Sequence, residues 1–350
     1  MLAVLKEEPK PNTLSVRDID SPPKKPDHLV IRVLGAGVCG SDLHTFFWTE
    51  DYEKRFQNRL PVILGHEFAG IVEEIGPGVE GFKVGDRVVA RPGISCNRCK
   101  ACLSGNDGIC PNRRAMGVDY NGAMAEFLSI PTQEVFRLPE KFPMEIGPLI
   151  EPIIIAYNAV LKAGSLLGKD VVVLGPGPIG YLISLLLRGH VKSQTIIGLN
   201  RDRSRMEKLQ AQIPNIRAIE QGASRKGKEE TLDADIVFEV TGSRGGFQQS
   251  LEMGRRNATV ILVGIISDQV SIDSNLAVRG EFTIRGSHAA PRRIWKEVIE
   301  LISSFPQNET DRFLSCITHR FPLQRAKEAF QLVASGEGLK VLFIPENRSA

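Results

Sequence analysis

The pattern of apolar and polar positions changes character once along the chain. In the first half, short β-branched runs such as Val30-Ile31-Arg32-Val33 and Gly70-Ile71-Val72-Glu73-Glu74-Ile75 are bounded by Gly76-Pro77-Gly78 and Gly85-Asp86. Runs of that length between glycine and proline punctuation predict strands. Together they predict a compact antiparallel domain with many loops. Near residue 152 the period shifts, and residues 153–163 predict a helix with Pro152 in its first turn, where a missing N–H breaks no helical bond. Strands and helices then alternate: a strand over 170–174, a helix over 178–188, a strand over 195–199, a charged amphipathic helix over 203–212, and strands over 235–240, 259–263 and 282–285. Continuous apolar strands suit burial on both faces, and their alternation with helices predicts a doubly wound parallel sheet, an α/β class. The tail returns to mixed character, with helices over 293–303 and 324–335 and a strand over 340–344.

Bulk properties narrow the function. A chain of 350 residues exceeds what one core usually organises, so two domains are expected. The 44 basic and 41 acidic residues leave a net charge of +3, whereas nucleic-acid binders carry a clustered basic stripe. The cluster Arg225-Lys226-Gly227-Lys228 runs at once into Glu229-Glu230 and reads as a solvated loop. The N-terminus has no apolar core after a basic start, and the longest apolar run, residues 153–157, falls far short of a bilayer span of about 20. Neither nucleic acid nor membrane is therefore expected as a partner, and the expected location is cytoplasmic. Clustered cysteines in a reducing compartment read as metal ligands rather than disulfides.

Two clusters have metal-ligand spacing. Cys96, Cys99, Cys102 and Cys110 bring four thiols into one loop, a set that suits a tetrahedral structural zinc with no position left for water. Two disulfides, or an iron–sulfur cluster, are the alternatives. The second cluster draws on Cys39-Gly40-Ser41-Asp42-Leu43-His44, Gly65-His66-Glu67 and Glu151, the last just before Pro152 at the apparent domain junction. A catalytic zinc keeps three protein ligands and one open position. Cys39 and His66, with Glu67 or Glu151, would supply them.

Gly175-Pro176-Gly177-Pro178-Ile179-Gly180 follows one predicted strand and opens a helix, the context a dinucleotide fingerprint requires. At the end of the next strand, NAD enzymes usually carry an acidic residue for the ribose hydroxyls. Here stand Asn200, Arg201, Asp202 and Arg203. A neutral amide removes repulsion toward a 2′-phosphate, and arginine can grip it, so NADP(H) is favoured, with NAD(H) as the alternative should Asp202 take the acidic role.

These residues together resemble the medium-chain zinc-dependent alcohol dehydrogenase family. The resemblance runs over almost the whole chain and includes Gly85-Asp86-Arg87-Val88 and Glu151-Pro152 beside the motifs above. It implies a GroES-like, mostly-β catalytic domain in two sequence segments, 1–152 and 290–350, around a Rossmann coenzyme domain over 153–289. It implies two zinc ions, the catalytic one held by Cys39 and His66, with Glu67 as third ligand and Glu151 as ligand or substrate contact. Glu151 stands where ethanol-type enzymes carry a cysteine, which points to the polyol and L-threonine 3-dehydrogenase branches. His44-Thr45-Phe46-Phe47-Trp48 and Gly117-Val118-Asp119 with Gly122 are similar to L-threonine 3-dehydrogenases, while the cofactor end resembles NADP-accepting glucose dehydrogenases. The implied reaction moves hydride between a nicotinamide and a secondary alcohol, a polyol or sugar, or a hydroxy amino acid such as L-threonine. In it, Ser41 takes the hydroxyl proton, and the cofactor ribose and His44 carry it toward solvent. Phe46, Trp48, Ile94 and Tyr120, with His288 and Arg292, would line the substrate pocket. A homotetramer is implied, with coenzyme-domain edges pairing near residues 282–286. Two rivals remain: a zinc-free quinone or enone reductase of the same superfamily, which should lack Cys39, His66 and the four-cysteine loop, and a non-catalytic dinucleotide-binding homologue, whose ligand residues would be free to decay.

Overall fold

The computed structural model describes residues 1–50, 53, 59–199, 202–220, 232–266 and 269–346. The chain divides into two compact units, Met1–Glu151 with Ala290–Ala350, and Pro152–Ala289.

The first unit is organised by one long strand, His28–Gly37. Its apolar residues Leu29, Ile31, Val33 and Ala36 are buried and join Val72, Leu128, Phe330 and Phe343 in one core cluster. Three strands pair with it antiparallel: Glu67–Ile75, Phe127–Pro131 and Lys340–Phe343. Arg87–Ala90 and Val135–Arg137 extend the sheet on one side, and Ile317–Phe321 on the other. The antiparallel expectation holds here except at Ile317–Phe321, which runs parallel to Lys340–Phe343. The register sets Gly37 opposite both Glu67 and Leu342. Residues from the chain's end therefore complete a sheet that its first hundred residues begin.

An ionic quartet, with Arg91 and Glu134 buried and Arg292 partly exposed, fastens the four-cysteine loop to this sheet. Arg91 is 2% exposed; its guanidinium holds the carboxylate of Asp107, and its Nε lies 3.1 Å from Glu134 Oε2. Arg292 donates from Nη2 to Glu134 Oε2 at 3.2 Å and from its backbone N to Asp107 Oδ1 at 3.1 Å. Two cations and two carboxylates thus neutralise one another. Burial nevertheless pushes the Glu134 carboxyl up and the Arg292 guanidinium down, each against the pull of its partners.

In the second unit six parallel strands stand in the order Arg217–Glu220, Ser193–Gly198, Asp170–Leu174, Ala234–Glu239, Gly254–Leu262, Thr283–Gly286. Numbered along the chain, that order reads three-two-one-four-five-six, the doubly wound arrangement of a Rossmann sheet. Ala234–Glu239 is buried at every position, as a strand covered on both faces must be. By contrast, the edge strand Thr283–Gly286 is exposed along its whole length. The strand Asp170–Leu174 and the helix Arg203–Gln212 fall where the apolar pattern puts them.

The helix expected from residue 153 begins earlier, at Ile150, directly after the 3-10 turn Met144–Leu149. Glu151 therefore occupies a helical first turn. The stretch Met144–Ala163 has the length and composition of a membrane span, but 61% of that window is buried inside the protein, as in a core helix. Helices Gly246–Met253, Ser274–Gly280 and Gln307–Leu314 were not in the sequence pattern. Each spans about two turns, too few for a 3.6-residue period to register.

Removing a buried member of the quartet leaves uncompensated charge. Arg91→Met is expected to cost about 3–5 kcal/mol of unfolding free energy, measured by urea denaturation against wild type; a change below about 1 kcal/mol contradicts this account of the quartet.

Candidate active site and metal centres

The helix Gly40–Phe47 starts at Cys39, which takes extended backbone angles and acts as its N-cap. A capping box forms: Asp42 Oδ2 accepts from the Cys39 backbone N at 2.9 Å. That cap also aims chemistry, because Asp42 Oδ1 lies 3.7 Å from His66 Nδ1. A carboxylate behind a ligating imidazole fixes the ring and its tautomer. The Cys39 thiol, an imidazole nitrogen of His66 and a carboxylate oxygen of Glu67 all lie within 4.8 Å of one another. Burial alone would lower the His66 pKa, but Cys39, Asp42 and Glu151 together hold it well above the usual histidine value. A site that gathers negative charge around an imidazole is suited to a cation.

Glu151 is not among those three groups, yet its charge reaches His66. Burial pushes its own carboxyl up to about 7 against the pull of His66, while Glu67 pushes the same way as burial. Ser41 and His44 lie three residues apart on the Cys39-capped helix, both partly exposed. Two expected pocket residues have other duties. Phe46 is 2% exposed and packs into the core against Phe330, and Arg292 belongs to the ionic quartet. Trp48 lies beneath the ammonium of Lys6, Ile94 and Tyr120 are half-buried, and His288 is exposed in the second unit.

The four-cysteine loop meets a geometric test. Four sulfurs about 2.3 Å from a central zinc define a tetrahedron with edges of about 3.8 Å. The thiols of Cys99 and Cys102 are 3.5 Å apart, those of Cys99 and Cys110 3.8 Å, and those of Cys96 and Cys102 4.0 Å. No disulfide joins them, and Cys316 is also a free, buried thiol. Backbone N–H groups of Arg98 and Cys99 lower the Cys96 thiol to about 6, which favours the ligating thiolate.

At the end of the strand Asp170–Leu174, Gly175 takes φ of +114°, open to glycine alone. A Cβ on Gly180 would run into the Gly175 carbonyl oxygen. Gly177 caps the helix Pro178–Leu187, with Pro178 as its first residue and Ile179 following, so the first free N–H groups of that helix face the glycine turn. The residues expected to select the cofactor are only partly in view: Asn200 and Arg201 lie outside the described residues. Arg203 pairs with Glu220 at 2.8 Å, a mostly exposed contact of small energetic weight. Asp202 is committed locally, accepting from the Leu199 backbone N at 2.9 Å and facing Arg205 at 3.4 Å.

Comparison with known proteins decides the family. The family model for the alcohol dehydrogenase GroES-like domain matches residues 25–140, and that for zinc-binding dehydrogenases matches residues 186–304. The L-threonine 3-dehydrogenase of Pyrococcus furiosus is 32% identical, with 98% of each chain covered. The chain belongs to the medium-chain zinc-dependent alcohol dehydrogenase family. The sorbitol dehydrogenase of Halalkalibacterium halodurans is a further relative, 28% identical over 99% of each chain. Among solved structures, a protein described as a zinc-binding dehydrogenase from Sinorhizobium meliloti, bound to NADP, is 28% identical with a TM-score of 0.83, covering 98% of this chain and 99% of its own.

Within this dehydrogenase, the least legible residue of the site is Lys340. It is 2% exposed, and its Nζ donates to Glu67 Oε1 at 2.9 Å, Glu67 Oε2 at 2.7 Å and Val38 O at 3.1 Å. Burial alone would lower the lysine's pKa, but Glu67 more than offsets it and keeps the ammonium charged. Glu67 thus meets a fixed cation on one side and the Cys39–His66 pair on the other. Lysine at the head of a buried strand was a signal that a buried acid must answer it. Asp42 was legible too, as the third residue after a helix start. Lys340→Met is expected to destabilise the protein by about 3–5 kcal/mol by stranding Glu67, and adding Glu67→Gln should recover part of that loss. Purely additive unfolding free energies in this double-mutant cycle would refute the pairing.

Proposed function

We propose that this dehydrogenase holds two zinc ions per chain and oxidises a secondary alcohol of a small polyol, sugar or hydroxy amino acid, or runs the reverse reduction, with NADP(H) preferred over NAD(H). The observation that carries the reading is the convergence of Cys39, His66 and Glu67 within 4.8 Å in a chain that also bears the Gly175–Gly180 turn. Catalytic zinc, when bound by Cys39, His66 and a glutamate, supplies Lewis acidity toward the substrate oxygen. The rest of the work falls to the chain. Ser41 holds the reacting hydroxyl and takes its proton, and His44, one turn on, passes it toward solvent, an exchange suited to an imidazole near neutral pH. Glu151, partly protonated near neutrality, contacts the site as ligand or substrate acceptor. Backbone N–H groups at the start of the helix Pro178–Leu187 hold the pyrophosphate.

The four thiols hold the second, structural zinc, and their tetrahedral spacing weighs against the zinc-free reductase. The substrate class draws support from relatives named for L-threonine and sorbitol, and NADP from the Sinorhizobium structure. The fully exposed edge strand Thr283–Gly286 offers a surface for assembly, which suits a homotetramer. Six free thiols suit a reducing, cytoplasmic setting.

Metal analysis is expected to find two zinc ions per chain, and Cys39→Ser to keep one while losing turnover on a panel of L-threonine, polyols, aldoses and simple alcohols. Full activity of a chelated, metal-free protein would end this reading. Asn200→Asp is expected to raise the KM for NADP on the order of tenfold, about 1.4 kcal/mol, and to lower that for NAD; an unmoved ratio removes Asn200 from cofactor choice.

A further inference from the structure

In the second unit, Glu239 ends the strand Ala234–Glu239 and is 0% exposed. The loop that follows answers its carboxylate. Glu239 Oε1 accepts from Thr241 N at 2.8 Å, from Gly242 N at 3.2 Å and from the Thr241 hydroxyl. Three donors on one oxygen make it an acceptor, so the Thr241 hydroxyl must donate to it. Glu239 Oε2 is buried with no hydrogen-bond partner among the described residues. A Cβ on Gly264 would lie 2.7 Å from that oxygen, so glycine there gives it space. A buried polar atom without a partner is uncommon, and breaches of this kind concentrate at functional sites.

The order continues outward through a second hydroxyl. Thr241 Oγ1 lies 2.8 Å from Ser243 Oγ and accepts from Ser243 N at 3.0 Å. With its one proton given to Glu239, Thr241 can only accept from the Ser243 hydroxyl. Ser243 therefore turns its own proton inward, and its oxygen is left as an acceptor. Both residues are exposed. The pair also stands beside the glycine turn. A Cβ on Gly175 would lie 2.9 Å from Thr241 Cγ2, and one on Gly180 3.0 Å from Val240 Cγ2. A dinucleotide with its pyrophosphate on that turn carries a ribose on either side of it. An exposed acceptor suits a ribose hydroxyl, which can donate, and does not suit a phosphate, which brings acceptors.

We propose that Glu239 is a positioning residue for the nicotinamide dinucleotide: through Thr241 it fixes the Ser243 hydroxyl as the acceptor for a ribose hydroxyl beside the glycine turn. Glu239 itself touches no cofactor atom in this scheme. It sets the direction of two hydrogen bonds, so that the outer oxygen meets the ligand already oriented and no rotor has to be ordered on binding. The proposal rests on the dehydrogenase reading above and extends its cofactor site from the pyrophosphate to a ribose.

The test is calorimetric binding to the zinc-loaded enzyme of NAD, NADP and two NAD analogues, each lacking the hydroxyls of one ribose. Ser243→Ala is expected to raise the Kd for NAD on the order of tenfold. It should move the Kd of the analogue that lacks the recognised hydroxyl by less than about twofold, and the insensitive analogue names the ribose. Thr241→Val, which keeps the shape and removes the relay, should weaken NAD similarly, and Thr241→Ser should restore it. Adding Ser243→Ala to Thr241→Val should cost less than about a further twofold. Glu239→Gln, whose amide oxygen still accepts from the three donors, should recover most of the affinity that Glu239→Leu loses. Thr241 and Ser243 are exposed, so their variants decide the matter even where Glu239→Leu fails to fold. A Ser243→Ala loss below about twofold on NAD, or equal losses on NAD and both analogues, overturns the proposal and leaves the dehydrogenase reading standing. Equal losses in Glu239→Gln and Glu239→Leu overturn the role of Glu239. A wild type that binds neither NAD nor NADP overturns both readings.

Discussion

A buried carboxylate stays charged only where a cation or N–H donors answer it, and the site of this dehydrogenase is built around one such ion pair, Glu67 with Lys340. The strand His28–Gly37 meets Glu67–Ile75 on one side and Lys340–Phe343 on the other, and both registers converge on Gly37. A Cβ at Gly37 would run into the Glu67 carboxylate, so the missing side chain opens the space in which Glu67 meets Lys340. Two residues further along, the same strand end delivers Cys39, the N-cap of the helix that carries Ser41 and His44. A carboxylate stranded there would cost several kcal/mol. The strand Lys340–Phe343 thus supplies the cation that Glu67 needs, and the pair ties the two segments of the first unit together.

The same economy appears on the His66 side. Asp42 spends one oxygen on capping its own helix and turns the other toward the imidazole. The contact that caps the helix thus also sets a carboxylate behind His66. Lys340 does for Glu67 what Asp42 does for His66, with the opposite charge. His66 and Glu67 are thus each backed by a fixed partner of complementary sign, which favours their charged forms without relying on solvent.

This division explains what could be read from the residues in order. The two clusters of candidate ligands and the glycine turn were legible, because Cys39, His66, the four thiols and Gly175–Gly180 sit in short motifs, and the structure brings each cluster together. The parallel sheet was legible because strands buried on both faces are apolar without interruption, as in Ala234–Glu239. Illegible were the residues whose meaning depends on pairing across the chain. Phe46 and Arg292 looked like pocket walls; one is core and the other is spent on Glu134. Lys340 could not be joined to Glu67, because a sequence separation of 273 is closed only by strand register.

The four-cysteine loop is fastened to the rest of its unit at several points. Arg113 follows its fourth thiol by three residues, and its backbone N donates to Cys110 O at 3.1 Å. Asp107, inside the same loop, is pinned by Arg91 and by the start of the helix Arg292–Ser303. A Cβ on Gly108 would lie 2.9 Å from the Ala290 carbonyl carbon, so the loop seats directly on the returning chain. Thiols, quartet and return together fix the loop against the sheet. A metal at those thiols would tie this base together, and four thiolate ligands would leave it no open position for chemistry.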